Sequence, residues 1–93
     1  MEKAWKEIEH LHKTGAVLKR KRVKLSSMKP DKILHHAGEE LLELATECDE
    51  KKAKIEMGDL LSCLFHHCIA RGWKSEEISK AMIAKLKKRI KEK

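Results

Sequence analysis

EELLELATECDEKKAKIEMGD, residues 39–59, is the stretch that decides the fold. Glu40 and Glu43 stand three apart in it, as do Glu56 and Asp59, with twelve residues between Glu43 and Glu56. Residues at i and i+3 share one face of a helix. If both halves are helical and the chain turns back near Asp49, four carboxylates point into one space. Four like charges repel unless a cation lies among them, and hard oxygen donors suit Mg²⁺, Mn²⁺ or Ca²⁺. The stretch therefore predicts a helical hairpin with a divalent-metal site between its arms. Glu39 falls about 100° round the helix from Glu40, outside the primary ligand set.

Working outward, Pro30 and Asp31 make a good helix start, with Pro in the first turn and an acid beside the positive end of the dipole. The first arm is expected over 30–48, with Leu34, Ala37, Leu41, Leu44, Ala45 and Cys48 as its apolar stripe. Asp49 caps a second arm over 50–71, which stops at Gly72. On it Met57, Leu61, Leu64, Phe65 and Cys68 share one side, and Lys52, Glu56, Asp59 and Cys63 the neighbouring side. Ser75 caps a last helix with Glu76 and Glu77 in its first turn, a basic end, and an apolar face of Ile78, Met82, Ile83, Leu86 and Ile90. Upstream, Ala4, Trp5, Ile8, Leu11 and His12 give a short amphipathic helix over 2–13, ended or bent at Gly15. Residues 16–25 fit neither period; their helical neighbours incline the reading to helix, with a loop over 26–29.

The expected architecture is all-α: one domain over 1–93, four-helix bundle-like, with a central acidic hairpin. The composition agrees, being 41% hydrophobic but only 3% aromatic, with one Pro and no Tyr, which favours helices around an aliphatic core over a sandwich or barrel. At 93 residues and 40% charged, such a chain often completes its core by oligomerising. The hairpin's second face, including Leu42, has no evident cover within the chain. A homodimer or homotetramer would bury it and could carry Lys85 or Arg89 to a neighbour's site.

The formal charge of +7 points to an anionic partner. Cys48, Cys63 and Cys68 form no CxxC and cannot all pair, which suits reduced thiols in the cytoplasm. No apolar run approaches a membrane span, and Met1-Glu2-Lys3 does not open a signal peptide. A cytoplasmic chain without membrane attachment is expected.

Glu-Glu-x-x-Glu followed by Glu-x-x-Asp resembles the signature of the all-α nucleoside triphosphate pyrophosphohydrolase superfamily, most closely its MazG-like branch. The sharpest local match is Glu56-Met57-Gly58-Asp59-Leu60-Leu61, and the resemblance covers about 34–89. It implies a Mg²⁺-dependent enzyme, with Mn²⁺ as substitute, that cleaves a nucleoside triphosphate between the α and β phosphates to give the monophosphate and pyrophosphate. By the same resemblance Glu40, Glu43, Glu56 and Asp59 hold the metal. Glu39 is an outer-shell partner or water-orienting base. Lys52, one turn before Glu56, and the Lys85 and Arg89 pair on the last helix meet the phosphates, Lys52 assisting catalysis. His36 stands where some relatives have lysine. Larger members stack the base on an aromatic residue beyond the final helix, and residues up to Lys93 offer none.

Plainer readings compete at each position. Glu-rich stripes are ordinarily solvated, but here both halves of the pattern are present at the required spacing. Lys52, Lys85, Lys88 and Arg89 read equally well as surface charge, the last three favoured by a helix C-terminus. The run Lys19-Arg20-Lys21-Arg22 reads as a solvated face before a nucleic-acid patch, since stacking aromatics are absent around it. Cys63 and His67 share a face but no second matched pair completes a zinc set, so the six histidines read as structural or surface groups. Trp5 and Trp73 read as packing residues. The nearest functional rival is phosphoribosyl-ATP pyrophosphohydrolase of the same superfamily, whose Ala-Asp-Leu and Tyr-His signatures are replaced here by Gly58-Asp59-Leu60-Leu61-Ser62. The rival of another class is a small basic helical module that binds nucleic acid or protein.

Overall fold

Asp49 makes the hairpin. Its Oδ1 accepts the backbone N–H groups of Lys51 (2.9 Å) and Lys52 (3.4 Å), satisfying donors that a helix start leaves open. In the computed structural model, which describes residues 2–17 and 23–91, this cap joins α2 (Pro30–Thr46) to α3 (Glu50–Ala70). Helices α1 (Glu2–Thr14) and α4 (Ser75–Lys91) flank them, and the described residues contain no strand. The chain is all-α, with the acidic hairpin at its centre.

Both glycines with positive φ end helices. At Gly72 (φ 76°) the N–H of Trp73 bonds the carbonyl of Cys68 and that of Gly72 bonds Ile69, the two bonds of a Schellman motif closing α3. At Gly15 (φ 110°) the N–H of Ala16 reaches back to Leu11 in the same way. After it, Val17 and Lys24 pair in an antiparallel bridge, and Leu25–Ser27 form a single 3₁₀ turn. The ends of 16–25 are therefore not helical, which corrects the inclination to helix there. The chain needs a pairing of extended residues to return Leu25 to the core. The basic run Lys19-Arg20-Lys21-Arg22 lies outside the described residues.

The seam between α2 and α3 is the core. On α2 it is formed by Ile33 (0% exposed), Ala37, Glu40 (2% exposed) and half-buried Leu44; on α3 by Leu60, Cys63 and His67, with half-buried Glu56 in line. Leu25 closes one end of this cluster, and Met28 and Ala16 pack against it. The expected stripes meet the core only in part: Ala37, Leu44, Leu64 and Phe65 are buried or half-buried, while Leu34, Leu41, Met57 and Leu61 are exposed. One residue is about 100° of helix, so Ile33, rather than its neighbour Leu34, faces inward. α2 also stops at Thr46, two residues early, where Glu47 is extended and its N–H closes the last turn onto the Leu44 carbonyl.

α1 runs across α3 instead of alongside it, since residues two turns apart on α1 meet adjacent residues on α3. Trp5 packs on Phe65 with ring centroids 5.1 Å apart, and His12 on His66 at 5.0 Å. Trp5 is thus a core residue, as its place in the first helix predicts. Trp73 is exposed at the α3 C-terminus, edge-on to His67 and beneath Arg71. Ser75 does not cap α4: its hydroxyl donates to Glu2 Oε2 at 2.7 Å, tying α4 to α1, while Glu77 Oε1 accepts the N–H of Lys74. α4 contributes no buried residue to the chain.

Candidate active site

Each seam residue has a neighbour one position earlier, about 100° to one side of the seam. On α2 these neighbours are Lys32, His36, Glu39 and Glu43; on α3 they are Ile55, Asp59, Ser62 and His66. The arms run antiparallel, so both rows come to the same flank, the one α1 crosses. There the structure holds a cavity of about 110 Å³ lined by Val17, Leu25, His36, Glu40, Asp59, Ser62, Cys63 and His66. One acid from each half of the sequence motif, Glu40 and Asp59, therefore meets the same cavity from opposite helices.

Glu40 is the deepest charged group of the chain's described residues. Its Oε1 lies 3.1 Å from Nε2 of half-buried His36, one turn earlier on α2. Oε2 of Glu40 and Oε2 of Glu56 are both shielded from solvent. Glu43 is half-buried on the cavity flank, and all four acids take part in polar or electrostatic interactions within the chain. Glu39 is exposed (54% of its side chain), 3.9 Å from both His35 and His36. Lys52 is exposed on the first turn of α3, and Lys85 and Arg89 are exposed on the C-terminal half of α4.

The cavity's other side chains are held neutral. Burial pushes the Cys63 thiol up to about 11, helped by the charge of Glu40, and the thiol donates to the carbonyl of Ile33 at 3.2 Å. Cys63 is thus a protonated thiol at neutral pH, not a thiolate nucleophile. Burial, then proximity to His12, drives His66 down to about 4, and burial lowers His12. Their Nδ1 atoms lie 2.8 Å apart, so one ring donates and the other accepts. His67 donates from Nδ1 to the Pro30 carbonyl at 2.7 Å and accepts from Arg71 Nε at 3.1 Å, while Arg71 also reaches Asp31. His12, His66 and His67 thus bind one another and neighbouring groups of the fold.

Does a divalent cation suit this flank? The donors do: carboxylates on two facing helices, two of them with an oxygen shielded from water, are the hard-oxygen set that such an ion neutralises. Their placement is not closed around a point, for among the described residues no three His, Cys, Asp or Glu side chains converge to ligating positions. Glu40 instead turns Oε1 to His36. The cavity is also smaller than the roughly 300 Å³ at which small-molecule pockets begin, so it admits an ion or a phosphoryl group and leaves a nucleoside outside.

His36, Ser62 and His66 are cavity residues that the acidic pattern alone does not assign. Their signal is present in the chain: His36 stands four before Glu40, and Ser62 and His66 stand three and seven after Asp59, the spacing of one helix face. Compared with protein-family models, with curated proteins and with solved structures, the chain matches none.

Proposed function

We propose that this chain is a Mg²⁺-dependent nucleoside triphosphate pyrophosphohydrolase of the MazG-like kind, converting (d)NTP and water to (d)NMP and pyrophosphate, with Mn²⁺ able to replace Mg²⁺. The observation that supports this reading is the meeting of Glu40 and Asp59, one from each half of the motif, at a single cavity between antiparallel helices. A solvated Glu-rich face would not sink Glu40 to 2% exposure.

In this reading Glu40, Glu43, Glu56 and Asp59 would hold the cation. Bound there, Mg²⁺ supplies charge withdrawal from the α-phosphoryl oxygens and an acidified water. The chain's own residues do the rest. His36 holds the Glu40 carboxylate in place. Glu39, exposed and 3.9 Å from His36, would orient the attacking water or steady a ligand through that histidine. Lys52 neutralises charge that develops on the departing pyrophosphate, and Lys85 and Arg89, one turn apart on α4, add a second cationic edge. Buried Leu25 adds an apolar residue to the cavity lining.

A panel of NTPs and dNTPs with Mg²⁺, scored for pyrophosphate against orthophosphate, tests the proposal. Pyrophosphate in equal yield with monophosphate is expected. Orthophosphate alone would contradict cleavage between the α and β phosphates.

A further inference from the structure

The open end of the hairpin, where α2 begins and α3 stops, carries a bonded network that the proposed nucleotide site does not use. His67 donates from Nδ1 to the Pro30 carbonyl at 2.7 Å, fixing the end of α3 to the start of α2. Its Nε2 accepts the Nε–H of Arg71 at 3.1 Å, and Arg71 also donates to Asp31 Oδ1 at 3.3 Å. The guanidinium is thus oriented at two points, and the remaining N–H groups of its fork stay open for a ligand. Its central carbon lies 5.2 Å from the ring centroid of Trp73.

Trp73 differs from the other large aromatic side chains. Trp5 and Phe65 pack on each other in the interior, whereas Trp73 is 41% exposed. His67 and Arg71 are bonded to each other, so they meet the indole from one side and leave its other side to solvent. The ring does not hang on a loose loop: the N–H of Trp73 bonds the Cys68 carbonyl across the turn at Gly72. Charge gathers around it. The segments 29–32 and 71–74, joined by these bonds, carry Lys29, Lys32, Arg71 and Lys74 against the single acid Asp31, and all of these residues are exposed.

We infer that this end of the hairpin docks single-stranded nucleic acid, with an unpaired base on the open side of Trp73 and the flanking phosphates on Arg71, Lys74, Lys29 and Lys32. A π-face accepts any base, and cations on either side of it follow the backbone of a strand. A duplex hides its base faces in its own stack and keeps only the phosphate contacts. An acidic peptide matches the cations and leaves the indole without a partner. A strand meets cations on both sides of the ring at once, which a free nucleotide does not. The formal charge of +7 adds long-range attraction for a polyanion. None of these residues belongs to the proposed metal and phosphate set, so the inference stands whether or not the chain hydrolyses nucleotides.

Fluorescence anisotropy of a labelled oligothymidylate with the full chain tests it, in chelator so that a metal-loaded site takes no part. Saturable binding is expected at low salt, with log K falling linearly as log salt rises. Trp73→Ala should weaken it roughly tenfold, the worth of one stacked base, and Trp73→Phe should recover most of that loss. Lys29→Gln/Lys74→Gln should lower the salt slope by about 1.4, since each phosphate contact to a single strand contributes about 0.7. A duplex of the same length, thymidine monophosphate and a polyglutamate peptide should each bind about tenfold more weakly or worse, as ligands without a stacked base or a continuous backbone. Photocrosslinking of an iodouracil-substituted oligomer to the native chain needs no variant and should mark Trp73. Absence of binding at low salt, native affinity in Trp73→Ala, equal binding of the duplex or of polyglutamate, or crosslinks that all miss 29–32 and 71–74 would each overturn the inference. Strand binding with these signatures by a chain that releases no pyrophosphate supports it all the same, and the missing pyrophosphate counts against the nucleotide reading alone.

Discussion

Nε2 of His36 stands 3.1 Å from Oε1 of Glu40, one helical turn along α2 and inside the cavity. The same carboxylate is the deepest of the four proposed metal ligands, so the histidine and the cation compete for it. His36→Ala should therefore strengthen Mg²⁺ binding by roughly threefold to tenfold, the worth of one net hydrogen bond. Isothermal titration calorimetry reads this directly. Weaker binding in the variant would make His36 a supporting group instead of a competitor.

Mg²⁺ should also stabilise the native chain, because an ion bound only by the folded state raises the melting temperature with its concentration. A thermal shift that grows with Mg²⁺ in the native chain and disappears in Glu56→Gln is expected. An equal shift in both would remove Glu56 from the ligand set.

The His12–His66 pair makes stability depend on pH in a definite direction. His66 has a folded value near 4 against 6.5 when unfolded. The unfolded chain therefore binds a proton first, and stability is full above about 6.5 and falls as the pH drops toward 4. A second proton on the pair would set two N–H groups against each other across 2.8 Å. Urea melts at pH 7.5 and 5 should differ by on the order of 2 kcal/mol, and His66→Phe should flatten the difference. An unchanged slope in His66→Phe would assign the pH dependence elsewhere.

The thiols should sort by burial. Cys48 is exposed, Cys68 is half-buried with its thiol pushed up by burial, and Cys63 is buried with its thiol held near 11. One fast equivalent with a disulfide reagent at pH 8 is expected, lost in Cys48→Ser. A fast second equivalent assigned to Cys63 by mass spectrometry would mean that the seam opens readily.

Much of this arrangement is legible in the sequence because its signals are local. Asp49 as a cap, Gly72 as a stop, Pro30 as a start and the acidic pairs at i and i+3 each depend on a few neighbouring residues. The register of the core is not local. Ile33 and Leu34 are equally apolar, and only packing against Leu60 and Cys63 decides which turns inward; Ile33→Ala should accordingly cost about 2–5 kcal/mol, read from urea melts. Half of the stripes that stand out in the sequence, Leu34, Leu41, Met57 and Leu61 among them, prove bare, since the seam includes Glu40, Glu56 and His67, which an apolar pattern passes over. The bridge between Val17 and Lys24 escapes for a similar reason: a pairing across a turn leaves no period. Ser75, finally, looks like a cap by type and instead reaches Glu2, a contact 73 residues away in sequence.

The most direct test of the central claim is single-time-point hydrolysis of a nucleoside triphosphate panel by the native chain, Glu40→Gln and Asp59→Asn, with Mg²⁺ and with chelator. Equimolar monophosphate and pyrophosphate are expected from the native chain with Mg²⁺. Loss of at least 100-fold in either variant at unchanged helical circular dichroism is also expected, as removal of a group acting on the transition-state charge produces. Full activity in the variants, or in chelator, would contradict the assignment of these carboxylates to a metal-dependent pyrophosphohydrolase.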